Sequence, residues 1–154
     1  MRARFGAPVG SLCAHPRDAT RTPYPKRGNS RSVNCCAKRH PGFDVEMAAL
    51  LLREPREHRA VTRAISRLLQ FGDALGFPDS SSVRSSSVRG LRELRPRRGR
   101  SRWRPLYVIT AGGIQLAALA PEATRDPVGY RRAVDRAAQR LSEMTAEENP
   151  RDVE

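Results

Sequence analysis

The sequence predicts an α+β domain, a small antiparallel sheet of three to four strands with two helices before it and one closing helix after it. Three observations carry the prediction. Apolar residues recur at helical spacing over residues 61–75 and again over 130–141; three extended segments lie between these stretches; and a glycine pair, Gly112 and Gly113, separates the last two of them. Strands flanked by helices in this order pack as a layer of helices on one face of the sheet.

Each element has its own local reason. Val45, Ala48, Ala49 and Leu52 can form one face of a short helix, although FDVEM (residues 43–47) also reads as a brief strand. After Pro55, the positions Val61, Ala64, Ile65, Leu68, Leu69 and Leu75 keep a 3.6 period with Arg59, Arg63 and Arg67 opposite, and Gly76 and Pro78 supply the stop. DSSSVRSSS (residues 79–87) is a polar connector. Residues 88–95, 103–110 and 114–120 read as strands of a meander, the last two joined by a hairpin for which glycine supplies positive φ. Pro105 cannot donate to a ladder, so regular pairing is expected from Leu106. Asp126 followed by Pro127 is an N-cap with proline at the first helical position, and Tyr130, Ala133, Val134, Ala137 and Leu141 share one face of the closing helix.

Before residue 43 no sustained period exists, and five prolines interrupt a basic stretch that buries too little apolar surface to offset its ordering entropy. The expected organisation is therefore an unstructured basic segment over residues 1–42, a folded domain over 43–144, and an acidic frayed tail over 145–154. Met47 would serve as a start codon, which leaves open whether residues 1–42 belong to the natural product.

The 154 residues carry a formal charge of +13, and the excess is local: residues 1–42 and residues 84–104 each hold nine basic residues and one acid. With a pI near 11.3, this points to a polyanionic partner, nucleic acid or an acidic protein. The longest apolar run, MAALLL, is far short of a membrane span, and a soluble cytoplasmic protein is expected. Cys13, Cys35 and Cys36 imply no disulfide framework. A metal site from these with His15 and His40 lacks the usual zinc spacings, and no GxxxxGK loop is present, so no metal and no cofactor are expected.

The second basic block is RSSSVRGLRELRPRRGRSRWR, and its arginines are interleaved with Val88, Leu91, Leu94 and Trp103. Guanidinium forks held on strands suit phosphodiester oxygens. Arg92, Arg95 and Arg104 flank the PRRGRSR turn, whose Arg97, Arg98, Arg100 and Arg102 are expected to add RNA-binding charge. Glu93 is the one acid in the block, and it can act as a base or pair with an arginine.

LRELRP (residues 91–96), RWRPLYVI (102–109), GGIQLAAL (112–119) and DPVGYRRAVDRAAQRL (126–141) follow one another in an order that resembles the RelE/HigB-like toxins of bacterial toxin–antitoxin modules, in particular the phage-derived HigB-type branch. The resemblance covers residues 43–144 and is sharpest from Leu91 onward. It implies a ribosome-dependent mRNA endonuclease, metal-independent, with a cognate helix-turn-helix antitoxin, the ribosome and mRNA as partners. Carried over position by position, it implies Arg95, Arg104, Arg125 and Tyr130 as the catalytic set. Tyr130 would move a proton if adjacent arginine lowered its pKa, although its place on the apolar helix face also reads as core. Two departures from the family pattern stand out. No opening strand is evident before Glu46, and the PEATRDP turn lacks the lysines of relatives. The alternative is a non-catalytic relative that binds antitoxin and nucleic acid or inhibits DNA gyrase. A ribosomal or nucleoid basic protein would explain the charge but not the hairpin or the capped helix.

Overall fold

Alternation along two long strands sets the architecture, because successive side chains leave a strand on opposite faces. The structure, a computed structural model, describes residues 36–148. Its strands are β1 (Ala37–Arg39), β2 (Ser80–Ser82), β3 (Arg92–Leu94), β4 (Trp103–Thr110) and β5 (Gly113–Pro121), and its helices are α1 (Pro41–Arg53), α2 (Pro55–Phe71) and α3 (Pro127–Glu148). They form one five-stranded sheet in the order β1-β5-β4-β3-β2. The α+β class holds, and two details of the expectation are corrected. The sheet is mixed rather than wholly antiparallel, because β1 joins β5 in parallel, and helices cover both faces rather than one.

On one face Tyr107, Ile114, Leu116, Leu119 and Leu94 pack under Phe43, Met47 and Leu50 of α1 and Val61, Ile65 and Leu68 of α2. On the other, Leu91, Leu106, Val108, Ala118 and Ala120 pack under Ala133, Val134, Ala137, Leu141 and Met144 of α3. The small residues of β5 let α3 approach closely. Helix α1 is turned opposite to the expected face: Val45 and Leu52 are exposed, while Phe43, Met47 and Leu50 are buried.

The expected unstructured segment lies outside the described residues up to residue 35. Its last part does not, since Ala37–Arg39 form β1 and His40 caps α1, its ring Nδ1 accepting from the Gly42 N–H at 3.0 Å. At the other end α3 continues to Glu148, where Glu148 pairs with Lys38 of β1. The expected connector also changes role, because Ser80–Ser82 pair with Leu94–Arg92 as an edge strand. Pairing of β3 with β4 begins at Leu106, as Pro105 requires, whereas β4 pairs with β5 from Trp103 onward across a bulge at Leu106/Tyr107. At the hairpin, Gly113 has φ 122°, and a Cβ there would lie 2.5 Å from the Cys36 carbonyl oxygen, so glycine is what lets β1 approach β5.

Strand β1 covers only the first part of β5. Beyond it, Glu46 of α1 accepts the Leu119 N–H at 2.7 Å, and Arg140 of α3 donates to the Ala117 carbonyl and to Glu46, both at 3.0 Å. Side chains from helices on opposite faces thus meet around the exposed edge and satisfy the backbone groups there. This fastening presents the far ends of β3 and β4 as a stable platform.

Candidate functional site

The sequence-predicted residues gather where β3, β4 and the start of α3 meet. The capped helix begins at Pro127, with Asp126 Oδ1 accepting the Gly129 N–H at 2.8 Å, and its first turn places Tyr130 over β3. The Tyr130 hydroxyl donates to Glu93 Oε2 at 2.7 Å. The other carboxylate oxygen of Glu93 accepts from Ser81 Oγ at 3.2 Å and stands 3.8 Å from Arg95 Nε. That nitrogen is buried and has no hydrogen-bond partner among the described residues. The remainder of the Arg95 guanidinium lies 5.1 Å from the centroid of the exposed Phe77 ring. Buried donors are almost always paired, and among the described residues Arg95 Nε and Trp103 Nε1 are the two buried side-chain donors without a partner.

Arg104 is brought to the same place, with its guanidinium engaged by protein groups. It is 2% exposed. Its guanidinium donates to the carbonyls of Ser101, Trp103 (3.1 Å) and Gly99 (2.9 Å) and to Glu122 Oε1 at 3.1 Å. The physical reason is the turn: PRRGRSR folds back over β4, and its carbonyls need a donor that the backbone does not supply. Burial pulls the Arg104 pKa below the ordinary arginine value, with Glu93 and Glu122 opposing that shift. Arg104 is therefore a fixed positive charge beneath Glu93, Arg95 and Tyr130, all of which act on it electrostatically.

The expected direction of the Tyr130 shift is also corrected. Burial raises its pKa well above the ordinary tyrosine value, and the hydrogen bond and negative charge of Glu93 add to the rise, with Arg104 opposing. Tyr130 thus stays protonated and donates to Glu93. Tyr130 also packs at the border of the α3 core, so both sequence readings of it describe part of its position.

Arg125 lies at the rim, mostly exposed, with Nε 3.3 Å from Glu122 Oε2. Glu122 therefore bridges Arg125 and the buried Arg104. Sequence reasoning missed this link; the available signal was an acid just after the strand that pairs with Arg104 through Ala120. Arg92 is engaged on the opposite face, its Nε donating to Ser80 Oγ at 3.1 Å, which in turn shares a 2.6 Å hydrogen bond with Tyr107. In the turn, Arg97 pairs with Glu57 at 2.7 Å and Arg102 with Glu54 at 2.9 Å, fastening the turn to the first residues of α2. Arg97 and Arg98 take left-handed φ of 53° and 56°, which side chains other than glycine, asparagine and aspartate rarely adopt. Arg98 and Arg100 are exposed and form no ion pair among the described residues. Among the described residues no group of His, Cys, Asp and Glu is placed to hold a metal ion, and no helix is long and apolar enough to cross a membrane.

No family model matches the chain, and no curated protein matches it. Two solved structures are similar to it in part. The YoeB–YefM complex from Staphylococcus aureus aligns with TM-score 0.44 at 12% identity, over 55% of this chain and 93% of that one. The YoeB dimer from the same organism aligns with TM-score 0.44 at 11% identity, over 54% and 91%.

Proposed function

We propose that the protein is an RNA-cleaving toxin of the RelE/HigB-like kind, a ribosome-dependent mRNA endonuclease restrained by a cognate helix-turn-helix antitoxin. The ordered series of motifs from Leu91 to Leu141 supports the kinship. The observation that carries the chemistry is the Tyr130–Glu93–Arg95 cluster, with its 2.7 Å hydrogen bond from Tyr130 to Glu93 and with Arg95 beside that carboxylate.

In the proposed reaction the ribose 2′-oxygen attacks the adjacent phosphorus and the bond from phosphorus to the 5′-oxygen breaks, leaving a 2′,3′-cyclic phosphate. Glu93 takes the 2′-hydroxyl proton. Tyr130 gives its proton to the departing 5′-oxygen and is reprotonated by Glu93 along their shared hydrogen bond, so the protein ends as it began. Arg95 donates to the non-bridging oxygens as negative charge builds, a contribution of about 3 kcal/mol for one preorganised donor. Arg104 supplies fixed positive potential from below, and Arg125 meets the chain at the rim. The arginines supply the charge stabilisation that a metal ion would otherwise give.

Inducible expression of the full chain, with primer extension on cellular mRNA, tests the reading. In-frame cuts are expected, and Glu93→Gln and Arg95→Ala should each reduce them by about a hundredfold or more, with each protein still folded. Cuts that persist in both variants refute the assigned site. Growth arrest without any cuts supports the non-catalytic alternative.

A further inference from the structure

The cleavage cluster does not account for the arginines of α2. Arg56, Arg59, Arg63 and Arg67 fall at steps of three, four and four residues, so they form one stripe along the exposed side of α2 spanning about 16 Å at 1.5 Å per residue. The stripe is one wall of a cavity of about 460 Å³ whose opposite wall includes Arg95 and Arg97 and whose floor is Leu75, Leu94 and Pro96. Asp79 is the one acid lining it, and it is already paired with Arg67 at 2.9 Å. Arg97 is paired with Glu57. Arg56, Arg59 and Arg63 are exposed, and their guanidiniums form no ion pair among the described residues.

Like charges on two walls of one groove repel, and a fold keeps them at that cost when a polyanion neutralises them. The repeat of guanidiniums along α2 is close to the repeat of phosphates along an extended single strand. Phe77, 77% exposed, adds an aromatic face next to Arg95, and a basic groove with a neighbouring aromatic is the pattern that holds single strands by backbone charge and base stacking. Arg95 belongs to both places, lining the groove and standing 3.8 Å from Glu93, so a strand in the groove is continuous with the cleavage cluster.

We infer that the groove between α2 and the Arg95–Arg97 turn is a binding site for single-stranded RNA, seating the stretch that flanks the cut. The inference rests on RNA being the substrate, and the two readings fail separately. Binding of the full chain to a fluorescent oligouridylate is measured by anisotropy over a range of salt concentrations. Arg59→Gln/Arg63→Gln should weaken binding by about tenfold and lower the slope of log affinity against log salt by about 1.4, since each contact on a single strand contributes about 0.7. Both residues are exposed, so the variant should keep its circular dichroism and melt no lower than wild type. Arg84→Gln/Arg89→Gln removes the same charge from the loop between β2 and β3 and should change the slope much less. Equal loss in the two variants overturns the inference in favour of overall charge. Unchanged RNA binding with loss of polyglutamate binding overturns it in favour of an acidic protein partner. Glu93→Gln should bind oligouridylate like wild type; if it still cuts mRNA, the cleavage assignment falls while the groove stands.

Discussion

Arg104→Ala should destabilise the protein rather than merely disarm it. The side chain is 2% exposed and donates four hydrogen bonds, three to backbone carbonyls of the turn and its junction with β4 and one to Glu122. Truncation leaves those carbonyls without their donor and leaves Glu122 with only the exposed Arg125 as a partner. Removing one partner of a buried pair costs about 3–5 kcal/mol, a large share of the roughly 5–15 kcal/mol that holds a domain together. At about 2 kcal/mol per molar in urea, the midpoint should fall by about 2 M. Trp103 is the single tryptophan and adjoins Arg104, so its fluorescence reports the transition directly. Arg95→Ala is the comparison: its Nε makes no hydrogen bond among the described residues, and its stability should change by less than about 1 kcal/mol. If Arg104→Ala shifts stability by less than about 1 kcal/mol, the buried charge is not what shapes the turn, and its loss of activity would become evidence of direct phosphate contact.

Other outcomes follow from the same geometry. Tyr130 has a raised pKa when folded, so between the unfolded value near 10 and the higher folded value the unfolded chain has lost a proton that the folded one keeps; stability is complete below pH 10 and falls above it by about 1.4 kcal/mol per pH unit, and Tyr130→Phe should remove that slope in alkaline urea titrations. Glu46→Ala should cost about 1–3 kcal/mol by leaving the Leu119 N–H and Arg140 unpaired at the edge of β5, read as a lower melting point. Gly113→Ala should separate β1 from β5, seen as faster hydrogen exchange in both strands, because the new Cβ would meet the Cys36 carbonyl at 2.5 Å. A chain started at Met47 lacks β1, the His40 cap, the fully buried Phe43 and Glu46; it should melt well below the full chain or fail to fold.

What could be read from the sequence was whatever local chemistry decides. The capped start of α3 needs only Asp126 and Pro127, the β4–β5 hairpin needs only its glycines, and the buried stripe of α2 is visible in its period. Helix α1 shows the limit. Val45, Ala48, Ala49 and Leu52 and the set Phe43, Met47 and Leu50 are both apolar at helical spacing, and the choice between them is made by the fit of Phe43 against β5 and α2, a tertiary fact. Ala37–Arg39 has no alternation to mark it as a strand, since its partner lies in β5, far along the chain. Ser80–Ser82 likewise becomes a strand only because β3 offers an edge. At the candidate site the sequence leads to Arg95, Arg104 and Tyr130, but their burial and the sign of the Tyr130 shift depend on how the turn closes.

The arginines divide by what they touch rather than by how many there are. Arg104, Arg97 and Arg102 each face a carboxylate supplied by another element, Glu122, Glu57 and Glu54, and these pairs hold the turn in place with its left-handed residues. Once that turn is fixed, Arg95 is left with a buried N–H that has no hydrogen-bond partner among the described residues, and the stripe on α2 is left facing a groove. The paired cations thus carry the cost of arranging the unpaired ones. A solvated basic loop would need none of these pairings and would leave no unsatisfied donor beside a carboxylate, and so the acids, not the arginines, are the residues that distinguish a built site from a charged surface.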